Sequence, residues 1–291
     1  MQYKLIKMIK KTIALFAILI SNFSYSQDDL LKELDVKPSK KEIETAAFKA
    51  MQICTMQSTK IAAKGELYVL ISHRFGDLTN GLDNFFGLDN ALTKIGGLYG
   101  INNSLTLGFS RQTYQKTYEF TAKYKLFNQE VDGFPVTIDG FNSLEINSEL
   151  KTALYPDLKF SNRLAFSTQL PISRKFSEKL SLEINPIYIH KNLYDIAIEK
   201  KDQVLIAFGG RYKLTKRLSF NLEYAKMLGQ VSEKTFNNPL TAGLDIETGG
   251  HVFQMVFSNS QPMNEVSYFT NGTGSWASRG VYFGFNVYRV F

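Results

Sequence analysis

The stretch RGVYFGFNVYRVF, Arg279 to Phe291, decides the fold. Read with period two, Val281, Phe283, Phe285 and Val287 fall on one face, and Tyr282, Gly284, Asn286 and Tyr288 on the other. That is the alternation of a half-buried strand. An aromatic strand placed last in a soluble sheet would fray or attract other chains. In a closed barrel the last strand pairs with the first and its apolar face meets lipid. A transmembrane antiparallel β-barrel, all-β in class, is therefore the expectation from which the rest of the chain is read.

The opposite end of the sequence reads as an address label. Lys4, Lys7, Lys10 and Lys11 precede the apolar run Ile13 to Ile20, and Ser24-Tyr25-Ser26 supplies small residues before Gln27. This is the pattern of a secretory signal peptide over residues 1–26, cut after Ser26. The apolar run is too short to span a bilayer. Removing four Lys and no acid from the formal +7 leaves about +3 on the mature chain. No basic run or recognition motif survives, so no nucleic-acid partner is expected.

The single cysteine, Cys54, excludes an internal disulfide and a Cys-rich metal site, and reads as a small apolar filler. The mean hydropathy is slightly negative, and after the signal no apolar run approaches the length of a membrane helix. A spanning barrel tolerates this, because half of every strand faces the lumen. Fifteen Tyr and 23 Phe against one Trp suit lipid faces and interfacial girdles.

Residues 27–64 differ from the remainder of the mature chain. Asp28 to Asp35 is a short amphipathic helix candidate, Pro38 breaks it, and Ala46 to Met56 is mildly apolar with either helix or strand as its reading. The segment is expected in the periplasm or tucked into the barrel mouth as a plug. From residue 65 to 291 the chain alternates in segments of about ten residues, the length of tilted spanning strands. The strands read as 66–75, 92–101, 104–112, 117–127, 135–146, 160–171, 180–191, 203–214, 217–228, 240–248, 251–259 and 280–291, about twelve in all. Connections alternate between tight turns, such as Asn102-Asn103, Thr215-Lys216 and Gly249-Gly250, and long loops, such as 76–91, 148–159, 192–202, 229–239 and 260–279. Short turns belong to the periplasmic side of such barrels and long loops to the outside. Only Thr113 to Lys116 is short where length is expected.

Parity within strands assigns the lumen. Ser219, Asn221, Glu223 and Ala225 alternate with Leu218, Phe220, Leu222 and Tyr224, and Ser181, Glu183 and Asn185 alternate with Leu180, Leu182 and Ile184. Arg211 and Lys213 are expected inside, near Glu183 or Glu223, with Asp245 and Glu247 adding to a lumen of both signs.

His73-Arg74-Phe75-Gly76-Asp77, Phe86-Gly87-Leu88-Asp89, Gly209-Gly210-Arg211-Tyr212, Glu247 to Phe253 (ETGGHVF) and Gly284 to Phe291 (GFNVYRVF) resemble an uncharacterised outer-membrane barrel family of Bacteroidota, over residues 65–291. The resemblance implies fold and location, and brings no activity, ligand or catalytic residue with it. Arg289 departs from the general barrel pattern by taking an outward position, where its stem reaches the periplasmic interface.

The remaining candidates are weighed on chemistry. His73 and His190 fall near the outer ends of their strands and His251 at the other end. Interfacial or hydrogen-bonded imidazoles are expected, with a metal pair of His73, His190 and an acid as the alternative. In loop 76–91, Asp77, Asp83, Asn84 and Asp89 are oxygen donors of the kind that holds Ca²⁺, but the spacing matches no EF-hand, and turn formation is the plainer reading. Ser72 with His73 or His190 and Asn192 offers the residue types of a lipid hydrolase without a visible nucleophile and base pair. No cofactor, metal or catalytic residue is assigned. The function read from sequence is an outer-membrane barrel acting as a narrow channel or binding protein for small solutes. Its alternatives are a sealed structural or docking barrel and a lipid-active enzyme. The partners expected are outer-membrane lipid, the barrel assembly machinery and a small solute.

Mass spectrometry of the native N-terminus checks the address label. A mature chain beginning at Gln27 is expected in the outer-membrane fraction, and one still beginning at Met1 removes the secretory reading.

Overall fold

A computed structural model describes residues 42–229, 236–278 and 280–291. The helix read at Asp28 to Asp35 and the cleavage site lie outside the described residues.

Strand β1 (Leu67–Asp77) leads into β2 (Leu92–Asn102), β3 (Leu105–Gln112), β4 (Tyr118–Phe127) and β5 (Thr137–Ile146). The wall continues through β6 (Leu164–Gln169), β7 (Ile172–Lys175), β8 (Leu180–Lys191), β9 (Asp202–Lys213) and β10 (Leu218–Leu228), and ends with β11 (Leu240–Thr248), β12 (His251–Ser258) and β13 (Tyr282–Val290). Each neighbouring pair is antiparallel; β13 pairs with β1 and β5 with β4, so the sheet closes. The short β6 and β7 lie end to end between β5 and β8, so the thirteen strands make a barrel of twelve spans.

Sequence periodicity places most strand ends within two residues of these. The exception is the span read as 160–171. Residues Phe160–Arg163 form a 3-10 turn, and the strand breaks at Leu170-Pro171 before resuming to Lys175. Proline has no N–H to give the ladder, so the pairing is interrupted there. Closure is completed at the rim, where Phe291 N donates to Leu67 O at 2.9 Å and Leu67 N to Phe291 O at 3.2 Å.

Parity holds around the wall. On β10, Ser219, Asn221, Glu223 and Ala225 are buried while Phe220, Leu222 and Tyr224 are exposed. On β13, Gly284, Asn286 and Tyr288 point inward. Outward rings meet between strands: Phe75 stacks on Phe283 at 5.7 Å and His73 on Phe285 at 5.5 Å, while Phe257 lies tilted against Phe283 at 5.1 Å. Ile71, Ile95, Phe109, Phe120, Leu182 and Phe208 continue this apolar surface around the barrel. A belt of that extent is stable in hydrocarbon and a liability in water.

Two inserts occupy the interior. Residues 48–60 lie within the barrel as irregular turns with one bridge, Gln52 to Gln57, and are buried apart from exposed Lys49 and half-buried Lys60. The helix-or-strand reading of Ala46 to Met56 is thus corrected to neither. The stretch makes too few backbone bonds with itself, and wall side chains complete them. The second insert corrects the reading of 260–279 as an external loop. Its described part folds inward and carries a short helix, α1 (Glu265–Thr270), buried at all six residues.

The two faces of β13 respond differently to charge. Phe285→Arg, at mid-span on the lipid face, is expected to cost about 2–4 kcal/mol of barrel stability, and Tyr282→Arg, on the inward face at the long-loop end, much less. Urea titration of refolded protein in detergent measures both, and equal losses would reverse the assignment of faces.

Candidate functional site

The inserts meet at Glu223. Residues Ile53 to Met56 make a tight turn, closed by Ile53 N donating to Met56 O at 2.8 Å. The next three amides converge on one carboxylate: Cys54 N donates to Glu223 Oε2 at 2.9 Å, Thr55 N to Oε1 at 2.9 Å and Met56 N to Oε2 at 3.1 Å. Successive N–H groups in a turn form a concavity suited to an anion, and here the anion comes from the wall. Glu223 also accepts from Tyr268 Oη of α1 at 2.8 Å, so one side chain anchors both inserts.

Neighbouring wall groups satisfy the rest of the turn. Asn221 Nδ2 and Gln254 Nε2 donate to Ile53 O at 3.1 and 2.8 Å, and Asn286 Nδ2 to Cys54 O at 2.6 Å. Asp245 accepts from Asn221 and Gln254, fixing both amides. Arg74, 1% exposed, donates to Thr55 Oγ1 and Asn286 Oδ1. Across the lumen Lys123 Nζ donates to three insert carbonyls, Met51 O at 2.8 Å, Ser58 O at 2.9 Å and Lys60 O at 3.3 Å.

Helix α1 is held in the same manner. Its leading amides face wall carboxylates, Glu265 N donating to Glu119 Oε1 at 3.2 Å and Val266 N to Glu145 Oε1 at 2.6 Å. Free amides at a helix start favour such partners. Glu119 is paired with Lys94 at 2.7 Å, and Glu265 accepts from Gln57 and Gln169, each at 2.6 Å.

Inward glycines make room for the first insert. A Cβ at Gly209 would overlap the ends of Ile53 and Met56, and one at Gly243 would meet Cys54 Sγ. Above this filled waist, at the long-loop end, lies a cavity of about 630 Å³ bordered by Glu145, Tyr155, Arg163, Lys191 and Tyr194. Below it, at the short-turn end, lies one of about 230 Å³.

The residues singled out in sequence separate into three groups. Glu183, Arg211, Glu223 and Asp245 are buried inside the barrel and Glu247 lies at its rim. Arg211 pairs with Glu247 and also donates to Ser219, so the expected partnership with Glu183 or Glu223 is corrected. Glu223 is taken by the insert, and β9 brings Arg211 level with Ser181 and Asn221, nearer the rim. Lys213 sits at that rim.

His73 and His190 belong to strands on opposite sides of the barrel, which rules out a shared metal. His73 Nδ1 lies 2.9 Å from Thr93 Oγ1, and His190 is bonded to Asp202 at 2.6 Å and Asn192 at 3.0 Å. Ser72 is buried inside while His73 faces out, so β1 cannot form a serine and histidine dyad. His251 stacks on Phe253 and is paired in register with Arg289, whose guanidinium lies over Phe291 at 4.5 Å. Asp77 accepts from Thr79 N and Oγ1, and Asn84 bridges Asp77 O and Gly87 N, so both act as turn formers. Asp89 is exposed.

Sequence reading passed over Lys94, Glu119, Lys123 and Glu145. Their parity was available: Glu119 and Lys123 alternate with Phe120 and Tyr124, and Glu145 with Leu144 and Ile146. Their partners lie on the inserts, whose irregular backbone has no period to read.

A closed, apolar-belted antiparallel barrel of twelve spans is the class of protein this chain represents. It belongs to the membrane bound beta barrel domain family (DUF5777), whose model matches residues 48–291. No curated protein sequence matches it. Among solved structures, it resembles the NanC porin at 9% identity and TM-score 0.50, covering 77% of this chain and 98% of that one. The KdgM porin is similar at 11% identity and TM-score 0.50, covering 77% and 99%. An outer membrane channel from Pseudomonas putida F1 matches at 14% identity, TM-score 0.44, covering 88% and 100%. At such identities the likeness to the two porins is one of fold.

Cys54, the sole cysteine, is a built-in reporter of the first insert. Glu223→Gln weakens the amide contacts and Gly209→Val intrudes on Ile53 and Met56. At about 1.5–3 kcal/mol for a charged hydrogen bond, maleimide labelling of Cys54 in the folded barrel should accelerate about tenfold or more in Glu223→Gln. Labelling as slow as in the parent would mean that Glu223 does not hold the turn.

Proposed function

We propose that this protein is an outer-membrane barrel offering a narrow path to small polar solutes, with its short turns in the periplasm and its long loops outside. The observation that carries the reading is that the waist is filled by two inserts rather than by the wall's own side chains. Both are attached largely through hydrogen bonds from polar wall groups, and each has a cavity beyond it. Twelve spans lie between barrels filled by side chains and wide porins, so a constricted lumen is the scale expected. Displacing an insert exposes Arg74, Lys123, Glu119 and Glu223, groups that water or a polar solute hydrates and hydrocarbon does not.

The secretory signal and the lipid-facing belt support insertion by the barrel assembly machinery. His190 is bonded to Asp202 and Asn192, and no catalytic role is proposed.

A second reading, a sealed barrel with a structural or docking role, draws on the same waist. Arg74 and Glu223 are fully engaged, and their release carries a large desolvation penalty if water does not enter with it.

Planar-bilayer recording separates the two. The mature chain is expected to conduct weakly, a form lacking residues 27–60 more strongly, and Arg211→Ala with altered ion preference. Silence from all three, with folding shown by heat-modifiable migration, would leave the sealed reading in place.

A further inference from the structure

The cavity at the short-turn end has a charge imbalance that neither the hydrogen bonding of the insert nor closure of the barrel requires. Its lining includes Lys49 and Lys60 from the first insert, Lys175 and Lys179 from the β7 to β8 turn, and Arg211 and Lys213 from β9. Glu178 is the lone carboxylate among the lining residues. Two of the six cations are already matched. Lys175 binds Glu44 at 2.9 Å and Glu178 at 3.3 Å, and Arg211 pairs with Glu247. Among the described residues Lys49, Lys60, Lys179 and Lys213 have no carboxylate within ion-pair distance.

Four such ammonium groups around one pocket repel each other and attract counter-charge. Lys60 is the most constrained, being half-buried. Its ammonium is pushed below the usual lysine range by burial, with Glu66 opposing that shift and Lys49 and Lys125 adding to it. Glu44, by contrast, is held below the ordinary carboxylate range by its bond to Lys175, so that acid stays ionised and committed to its own partner. The cavity, about 230 Å³, is well above the ~10–15 Å³ that holds a single water, and Thr45 and Ser181 add hydroxyls to the lining. Lysine is a compact point charge with three rotatable donors, suited to oxyanions of varied shape. The pocket lies between insert and wall, and Lys49 and Lys179 on its lining are exposed, so its access is aqueous.

We propose that Lys49, Lys60, Lys179 and Lys213 form a binding site for a small polyvalent oxyanion, a phosphate or polycarboxylate, at the base of the first insert. The bound anion joins lysines of the insert to lysines of the wall, and so fastens the insert at its lower end as Glu223 does at its turn. The site is independent of solute passage. A barrel that binds oxyanion and conducts nothing keeps this site and loses the channel reading.

Calorimetric titration of the mature full chain in non-ionic detergent at low salt tests it, with pyrophosphate and citrate as separate probes. One saturable site is expected for at least one probe, and which of them binds distinguishes phosphate from polycarboxylate. Affinity should fall about tenfold in Lys60→Gln, and about tenfold again when Lys213→Gln is added. Lys179→Gln, in an exposed turn where folding is insensitive, should weaken binding, while Lys151→Gln at the opposite end should not. No saturable heat from either probe, or equal weakening by Lys151→Gln, would overturn the proposal.

Discussion

The carboxylate of Glu223, receiving three consecutive backbone amides and a tyrosine hydroxyl, is the contact on which the interior depends. Its importance stems from a general constraint. Backbone N–H and C=O groups removed from water must be bonded, and an irregular segment cannot bond them within itself. A strand wall solves this for its own backbone by closing on itself. The inserts have no such recourse, and the wall's inward side chains stand in for the missing ladder. Asn221, Gln254, Asn286 and Lys123 each give a donor to an insert carbonyl, while Glu119, Glu145 and Glu223 each take insert amides. The charge of both signs in the lumen is therefore complementary to the two inserts, acids where amides arrive and amines or amides where carbonyls arrive.

Steric fit is set by the same strands. Gly209 and Gly243 leave the hollows into which Ile53, Met56 and Cys54 fit, and Phe48, Ile53 and Met56 join Ile187, Ile189, Leu205 and Ala207 of the wall in an apolar cluster. Tyr268 and Phe269 of α1 close that cluster from the other side. The barrel thus has a small core of its own inside a polar ring, as a globular domain does, enclosed by a wall whose outer surface is apolar. Attachment by directional bonds gives the inserts one register against the wall, and the modest apolar contact adds cohesion.

Much of the wall was legible in sequence because a spanning strand obeys two independent periods at once, alternation along the strand and alternation of short and long connections. The parity that put Glu223, Asp245 and Arg211 inside rests on the first. What escaped was pairing. Glu223 meets Cys54 across 169 positions of sequence, and no local pattern marks that contact. The loop after Ser258 escaped for a related reason: Met263, Val266, Tyr268, Phe269 and Trp276 are scattered among polar residues with no sustained period, which is also what an ordinary external loop contains. Inward Gly209 and Gly243, occurring where parity required lumen side chains, were the one local sign that something else fills the space.

The break at Leu170-Pro171 gives the barrel a circumference of unequal stiffness. Elsewhere the ladders run on with only local register shifts, at Arg74/Asp77, Gly100/Asn102 and Lys125/Phe127, so a local change of shape must stretch many bonds together. Here the ladder thins to Leu170 N donating to Pro186 O at 3.1 Å and Asp139 N to Pro171 O at 3.0 Å, and behind it the side-chain oxygens of Asp139, Ser143 and Asn185 have no hydrogen-bond partner among the described residues. With fewer ladder bonds across it, the seam shifts with less loss of bonding than an uninterrupted pair of strands, and the polar groups behind it gain by meeting water. The opposite part of the circumference, β9 to β13, carries Glu223 and Asn286, which grip the insert, so the thinned seam and the anchoring wall are separate stretches of one sheet.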